Sequence, residues 1–275
     1  MIAVIELIES FAGEIRLGVF LTILIGMAGW ELVAPRRPLT ANKWQRWLNH
    51  FLLTALNTLL LRIGLPLSVV GAAFIAQERG WGLFAIIPLP AAVEVLGSLL
   101  LLDLAIYAQH VAFHKAPLLW RVHLVHHADL DLDVTSGLRF HSIEMLLSAL
   151  LKIGLVILLG VPVTAVILFE VVLNGAAMFN HSNVRLPDRL DQLLRWVVVT
   201  PDMHRVHHSA IPRETDSNYG FNVPWWDYLF GTYRAQPQEG HDGMTLGLSE
   251  YRDERQVERL WGILSLPWRR GAPPS

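Results

Sequence analysis

The sequence predicts an all-α integral membrane protein, a bundle of apolar helices whose polar connections gather at one membrane face. Composition is the first reason: 53% of the 275 residues are hydrophobic and 17% are charged, whereas an average soluble domain has about 25% charged residues. The second reason is that the apolar residues form runs long enough to cross the roughly 30 Å hydrocarbon core of a bilayer as helices. The mean hydropathy of +0.40 agrees with both.

The first two apolar runs lie in the N-terminal third. Residues 17–30 carry no charge, and residues 48–77 form a second apolar segment that contains Pro66. The chain start carries Glu6 and Glu9 and lacks the basic region that precedes the apolar core of a cleaved signal peptide. We therefore expect the first run to be retained as a membrane helix.

The later apolar runs are interrupted by proline and glycine. Residues 81–114 are apolar again, and Pro88 and Pro90 are expected to kink or break this segment near its start. Residues 142–180 predict a helical hairpin that turns at residues 160–162, where Gly-Val-Pro stands. The remainder of the chain is polar, rich in tryptophan and loop-like.

A basic connection sets the predicted orientation. Residues 35–46 contain four cationic side chains, with Trp44 and Trp47 as interfacial anchors. Because basic loops of membrane proteins stay in the cytoplasm, the N-terminus is expected outside. Counting spans onward then places all the histidine-rich connections on the cytoplasmic side. A bacterial inner membrane is the expected location.

Histidine is the residue whose distribution points to chemistry. The chain has twelve histidines and no cysteine, which excludes thiolate ligands, disulfides and iron–sulfur clusters. Nine histidines stand in one HxxxH motif, two HxxHH motifs and an NHxN motif: His110, His114, His123, His126, His127, His181, His204, His207 and His208. Residues three and four apart share a helix face, so each group can direct several imidazoles at one point. Neutral imidazole is a good ligand for iron, zinc, copper and nickel.

The number of histidines indicates two metal ions. A tetrahedral zinc ion takes four ligands, so nine candidate ligands exceed what one ion accepts. A single HxxxH on an apolar helix is more often incidental. Burying this many imidazoles near lipid without partners, however, would cost several kcal/mol each, and this cost favours metal ligation over packing.

Asp103 extends the histidine pattern into the membrane. Asp103, Tyr107, His110 and His114 are spaced four, three and four residues apart and form one helix stripe. A carboxylate in an apolar span is costly and usually functional. We expect Asp103 to accept the N–H of a ligating imidazole; the alternative is a hydrogen bond to a neighbouring helix.

The combined motifs resemble the fatty acid hydroxylase / sterol desaturase superfamily. The HxxxH, HxxHH, NHxN and HxxHH order is followed by Asn-Tyr-Gly at 218–220 and by an aromatic block at 226–233. The resemblance covers about residues 91–235. It implies a membrane enzyme with a histidine-bound pair of iron ions, which uses O2 and external electrons to hydroxylate or desaturate lipids or sterol-like substrates.

The resemblance also implies roles for individual residues. The nine histidines named above match the family's metal ligands. Arg139, His141 and Glu144 match an RxHPxE segment in which Ser142 replaces the usual proline. The residues expected to position ligands or substrate, without binding metal, are Asp103, Arg139, His141, Glu144, Asn183 and Asn218. Ala177 stands where some hydroxylases carry a further histidine, so one metal is expected to have fewer protein ligands.

The domain organisation follows from the same reading. Residues 1–90 are expected to form N-terminal transmembrane helices, residues 91–235 a catalytic domain that includes the hairpin, and residues 236–275 a C-terminal tail. Since the sequence shows no flavin, nicotinamide or haem-attachment motif, electrons would come from a ferredoxin- or cytochrome-type partner and its reductase. The net charge of −2 gives no reason to expect nucleic acid binding.

Other functions remain open at this stage. A histidine-rich membrane metal-binding or metal-transport protein would also place histidines at a membrane face, but it would line several spans with polar residues. A bis-histidine b-type cytochrome needs paired histidines on facing helices. A zinc hydrolase is disfavoured by the absence of HExxH, and zinc could still occupy the site in purified protein.

Overall fold

The computed structural model describes residues 11–87 and 89–269, and every regular element in that part of the chain is helical. The long helices are α1 (Ala12–Val33), α2 (Lys43–Gly64), α5 (Ala91–Lys115), α7 (Ser142–Leu159) and α8 (Val163–Asn180). Each belongs to one of five segments that are long and apolar enough to cross a membrane. The predicted helical membrane bundle is confirmed. The acidic chain start with Glu6 and Glu9, and the last six residues, lie outside the described residues.

The second predicted apolar segment, residues 48–77, is divided between two helices. Helix α2 ends at Gly64, and Pro66 explains the break, because proline lacks an N–H and disfavours helical backbone in the residue before it. Leu65 is accordingly extended, with φ −115° and ψ 108°. Ser68 then caps a new helix, α3 (Val69–Arg79), by accepting a hydrogen bond from the Gly71 N–H. A short helix, α4 (Leu83–Ile86), follows.

The proline and glycine positions of the later segments act as predicted. Helix α5 begins at Ala91 directly after Pro90, while Pro88 lies outside the described residues. The α7–α8 hairpin turns through Gly160, which has a left-handed φ of 70°, and α8 starts after Pro162. A Cβ atom on Gly82 would lie 2.1 Å from the Gly160 backbone nitrogen, so glycine is required where the two turns meet. This contact places both turns at the end of the bundle opposite to the histidines.

Short helices form a cap over the other end of the bundle. They are α6 (Pro117–His127), a 3-10 turn (Ser136–Leu138), α9 (Asp188–Leu194), α10 (Pro201–His207), α11 (Pro212–Thr215), α12 (Trp225–Phe230), α13 (Gly240–Gly243), α14 (Glu254–Val257), α15 (Leu260–Ser265) and a last 3-10 turn (Leu266–Trp268). Since α5 and α8 end here and α7 begins here, the alternating direction of the spans brings every histidine motif to one face.

The C-terminal segment, predicted as a tail, is folded into this cap. Val257, Ile263 and Leu266 are fully buried and belong to one apolar cluster with Trp120 and Leu124 of α6. A second apolar cluster lies between α3, α5, α7 and α8 inside the bundle. Many apolar side chains of the long helices point outward instead, which is the distribution expected of a protein surrounded by lipid.

Candidate metal centre

The nine predicted histidines are buried, each at most 6% exposed, and they separate into two groups. The five-histidine group contains His110, His114, His123, His127 and His207. The four-histidine group contains His126, His181, His204 and His208. Within each group the candidate ligand atoms all lie within 4.8 Å of one another. Each group therefore has the dimensions of a site for one metal ion.

Helix geometry explains how the two HxxHH motifs are shared between the groups. In α6 the residues four apart, His123 and His127, join the five-histidine group, and His126 joins the other. In α10 and the residue after it, the pattern is reversed: His204 and His208 join the four-histidine group, and His207 crosses to the other. The two motifs thus bridge both sites, and His181 at the end of α8 completes the smaller one.

Hydrogen bonds fix the tautomers of most of these imidazoles. The Nδ1 of His110 lies 2.8 Å from the carbonyl oxygen of Tyr219, and that of His207 lies 2.7 Å from the carbonyl of Ser217. In the four-histidine group, the Nδ1 atoms of His126 and His181 contact the carbonyls of Arg139 and Ala177, at 3.1 and 2.7 Å. A carbonyl oxygen can only accept a hydrogen bond. Each of these Nδ1 atoms therefore carries the proton, and each Nε2 carries a lone pair.

The Nε2 atoms of paired histidines face one another so closely that a cation is needed between them. His110 and His207 place their Nε2 atoms 3.0 Å apart, and so do His126 and His181. In the tautomers just derived, neither atom of a pair has a proton to donate. Two lone pairs at this separation repel each other unless a positive ion lies between the rings. The donor set thus fits a metal ion in each group, since imidazole Nε2 is a common metal ligand.

Burial keeps the imidazoles neutral, as ligation requires. Burial lowers the pKa of His123 to about 3 and that of His181 to about 4. Burial and the neighbouring imidazoles hold the pKa values of five further histidines well below the ordinary range: His126, His127, His204, His207 and His208.

Two carboxylates orient histidines of the five-histidine group. Glu144 accepts a 2.7 Å hydrogen bond from Nδ1 of His123. Asp216 lies 3.2 Å from Nδ1 of His114 and also pairs with Lys115. Asp216 was missed in the sequence, because an isolated aspartate in a polar loop carries no motif. The backbone carbonyls that accept hydrogen bonds from the other Nδ1–H groups could not be identified from the sequence either.

Asp103 does not contact a histidine, so the expectation that it accepts the N–H of a ligating imidazole is wrong. Its two carboxylate oxygens accept hydrogen bonds from Asn222 and from the indole of Trp226, each at 2.7 Å. The alternative, a hydrogen bond to a neighbouring element, is the one observed. Asp103 ties α5 to the aromatic segment that includes α12.

The two predicted asparagines hold loops instead of imidazoles. Asn183 exchanges hydrogen bonds with the backbone of Arg37. Asn218, which has a positive φ of 51°, binds the carbonyl of Met203 and the backbone of Arg234. Asn218 lies between the Ser217 and Tyr219 carbonyls, so it fixes the two acceptors of the five-histidine group indirectly.

Arg139 and His141 lie outside both histidine groups. His141 caps the start of α7 by accepting a hydrogen bond from the Ile143 N–H. Arg139 is fully buried, and its carbonyl oxygen accepts a hydrogen bond from Nδ1 of His126. Its guanidinium belongs to a buried ionic network, made of Arg46, His50, Asp129, Asp133, Arg139 and Glu258. His50, which had no predicted role, lies 3.1 Å from Nη1 of Arg139.

The comparisons with known proteins agree with this centre. The fatty acid hydroxylase family model matches residues 95–232, half of the chain. The ornithine lipid hydroxylase of Rhizobium tropici is 33% identical over 149 residues, which cover 54% of this chain and 44% of that protein. The alkylglycerol monooxygenase of Xenopus tropicalis is 29% identical over 143 residues, covering 52% and 31%.

A plant enzyme matches over a similar length. The very-long-chain aldehyde decarbonylase of Oryza sativa subsp. indica is 30% identical over 152 residues, which are 52% of this chain and 24% of that protein. The matched segment is thus less than half of each relative, and no solved structure matches the chain. The family match spans the four histidine motifs and the hairpin that carries them. The chain is an integral membrane protein that belongs to the fatty acid hydroxylase family.

Proposed function

We propose that the protein is a membrane-bound di-iron oxygenase that hydroxylates or desaturates a C–H bond of a lipid or sterol-like substrate, with O2 and electrons from an external donor. The observation that supports this proposal most strongly is the pair of buried histidine groups with converging Nε2 lone pairs. The relatives support the substrate class, since they are an ornithine lipid hydroxylase, an alkylglycerol monooxygenase and a very-long-chain aldehyde decarbonylase. They also make a metal-transport protein the weaker candidate.

In this proposal each histidine group holds one iron ion through its Nε2 atoms. Iron bound in such sites supplies the redox chemistry that activates O2. The chain's own contribution is preorganisation. The carbonyls of Ser217, Tyr219, Arg139 and Ala177 keep the Nδ1 protons in place, so that the lone pairs face inward. Complete burial excludes water from the ligands, and the smaller group leaves more of its ion's coordination positions to non-protein ligands.

The wider organisation is part of the same proposal. Residues 91–235 would form the catalytic domain, residues 1–90 the N-terminal transmembrane part, and residues 236–275 a segment that covers the cap. The basic residues 35–46 support a cytoplasmic location for the histidine face, in a bacterial inner membrane. There a ferredoxin- or cytochrome-type donor and its reductase would have access to it.

Metal analysis of the detergent-purified protein, combined with lipid analysis of cells that express it, tests the function. We expect two iron ions per chain and cell lipids that have gained one oxygen atom or lost two hydrogens. With His126→Ala the lipid signal should disappear and the iron content should fall to one ion per chain, because His126 belongs to only one of the two groups. Freshly purified, folded protein without stoichiometric metal would contradict the proposal. Two zinc ions would call for reconstitution with iron before the lipid analysis is repeated.

The contact between Glu144 and His123 gives a prediction about metal affinity. Replacing Glu144 by alanine removes the acceptor that orients the His123 ring, and loss of such a partner typically weakens metal binding 10–100-fold. Glu144→Gln keeps an acceptor oxygen and should fall between the wild type and Glu144→Ala. Competition with a chelator measures the affinity. The exposed Glu254→Ala is the control, and equal affinities for Glu144→Ala and this control would refute the role of Glu144.

A further inference from the structure

A basic cavity lies at the membrane level of the cap, away from the histidine groups. It has a volume of about 740 Å³ and lies between the start of α2 and the C-terminal segment that contains α14 and α15. Among the residues that the structure describes, three arginines line it, Arg255, Arg259 and Arg269, and no acidic residue does. We call it the arginine cavity.

The depth of the arginine cavity follows from α2. Gln45 and Asn49 contribute to its wall, and they lie in the first two turns of a membrane-crossing helix that begins at Lys43. At 1.5 Å per residue, Asn49 is about 9 Å along this helix. The headgroup layer of a bilayer is roughly 5–8 Å thick on each side of the hydrocarbon core. The cavity therefore lies at the level of the lipid headgroups.

Exposed tryptophans around the cavity support the same depth. Trp261, which lines the cavity, is 83% exposed, and Trp268 and Trp44 are 64% and 67% exposed. Tryptophan with this exposure is typical of the membrane interface, where its ring enters the acyl region and its N–H stays near water. Lipid is thus expected to surround the mouth of the cavity.

The arginines of the cavity are available to an anion. Arg255 and Arg259 form no ion pair with any residue that the structure describes, and among the same residues the guanidinium of Arg269 donates only to the hydroxyl of Ser265. By contrast, Arg185 on another part of the cap pairs with Asp188 at 3.5 Å. A guanidinium offers several parallel N–H donors that match the oxygens of a phosphate. Three guanidinium groups around one cavity are more than are needed to keep this part of the surface solvated.

We propose that the arginine cavity binds the phosphodiester headgroup of an anionic phospholipid from the surrounding leaflet. The bound lipid would hold the C-terminal segment against the cap. This segment also carries Glu258, which accepts hydrogen bonds from Arg139 and from the Leu130 N–H. The lipid site is thus linked through one segment to the backbone that orients His126. The inference does not depend on the reaction that the metal centre performs.

Native mass spectrometry of the full chain, released from nanodiscs of phosphatidylglycerol and phosphatidylcholine, tests the proposal. We expect wild-type protein to retain one phosphatidylglycerol in preference to phosphatidylcholine. In Arg255→Gln/Arg259→Gln/Arg269→Gln the affinity should fall about 100-fold, or about fivefold for each arginine lost near an anionic lipid. The control Arg185→Gln/Arg189→Gln/Arg213→Gln removes the same charge from exposed positions elsewhere and should bind like the wild type.

One further experiment distinguishes a lipid headgroup from free phosphate as the bound anion. Inorganic phosphate in millimolar excess should leave the lipid bound, because phosphate lacks the acyl chains held at the mouth. Complete displacement by phosphate would overturn the lipid assignment, and equal lipid retention by the two triple variants would overturn the site. Metal content and helical circular dichroism report whether each variant is folded. Should the triple variant fail to fold, the single Arg259→Gln variant, expected to bind about fivefold more weakly, decides the question.

Discussion

Replacing His181 with alanine is expected to remove one of the two metal ions, whereas replacing His127 is expected to leave both. His181 belongs to the four-histidine group, which would keep three imidazoles, and His127 belongs to the five-histidine group, which would keep four. His181 is also oriented by the Ala177 carbonyl at 2.7 Å, while Nδ1 of His127 has no hydrogen-bond partner among the described residues. His181→Ala should therefore lose more metal than His127→Ala. A catalytic unit that needs both ions should lose roughly a thousandfold or more in activity.

Metal content per chain, measured after passage over a chelating resin, checks this difference. We expect two ions for the wild type, one for His181→Ala and two for His127→Ala. His241→Ala is the matched control, because His241 is a buried histidine of the same cap that belongs to neither group. Equal metal loss in His181→Ala and His127→Ala would contradict the division into groups of four and five.

The sequence predicted that the nine histidines lie together because its signals are local. Membrane spans follow from apolar runs, and HxxHH spacing shows that three imidazoles lie near one face of a helix turn. The alternating direction of the spans then requires the ends of α5 and α8 and the start of α7 to meet. Pro66, which the sequence shows inside the second apolar segment, marks the position where α2 and α3 separate.

The division of the histidines between the two groups could not be predicted in the same way. Spacing shows that His123 and His127 are one helical turn apart, but it does not show which neighbouring helix His126 faces. That is decided by how α6 and α10 cross, which depends on packing between segments distant in sequence. The error at Asp103 has the same origin. Its partners, Asn222 and Trp226, are more than a hundred residues away along the chain.

The buried ionic network connects the cap to the metal centre and was also invisible in the sequence. Arg46 of α2 pairs with Asp129 and Asp133, directly after the first HxxHH motif. Despite burial, Arg46 and Arg139 hold the pKa of Asp129 well below its usual range. Burial and the charge of Asp129 raise the pKa of Glu258 to about 7. Glu258 is thus more easily protonated than Asp129, which the two arginines hold in its charged form.

Replacing Arg139 with methionine is expected to be the most destabilising single change in the cap. Its guanidinium pairs with Glu258 at 2.8 Å and donates to the carbonyls of Val125 and Val257. Methionine fills a similar volume but leaves the three buried carboxylates of the network with Arg46 as their only arginine. Removing one partner of a buried ion pair typically costs about 3–5 kcal/mol. The melting temperature of the detergent-solubilised protein should therefore fall by roughly 10 °C.

A double-mutant cycle separates this charge effect from lost packing. Glu258→Gln in the Arg139→Met background removes the carboxylate that lost its partner, so the double variant should recover part of the stability, with a coupling of about 0.5–3 kcal/mol. The exposed Arg213→Met controls for the substitution itself. Because the Arg139 carbonyl orients His126, Arg139→Met should also weaken metal binding in the four-histidine group more than in the five-histidine group. If the double variant is less stable than the sum of the two single changes predicts, then lost packing, and not the unpaired carboxylate, sets the cost.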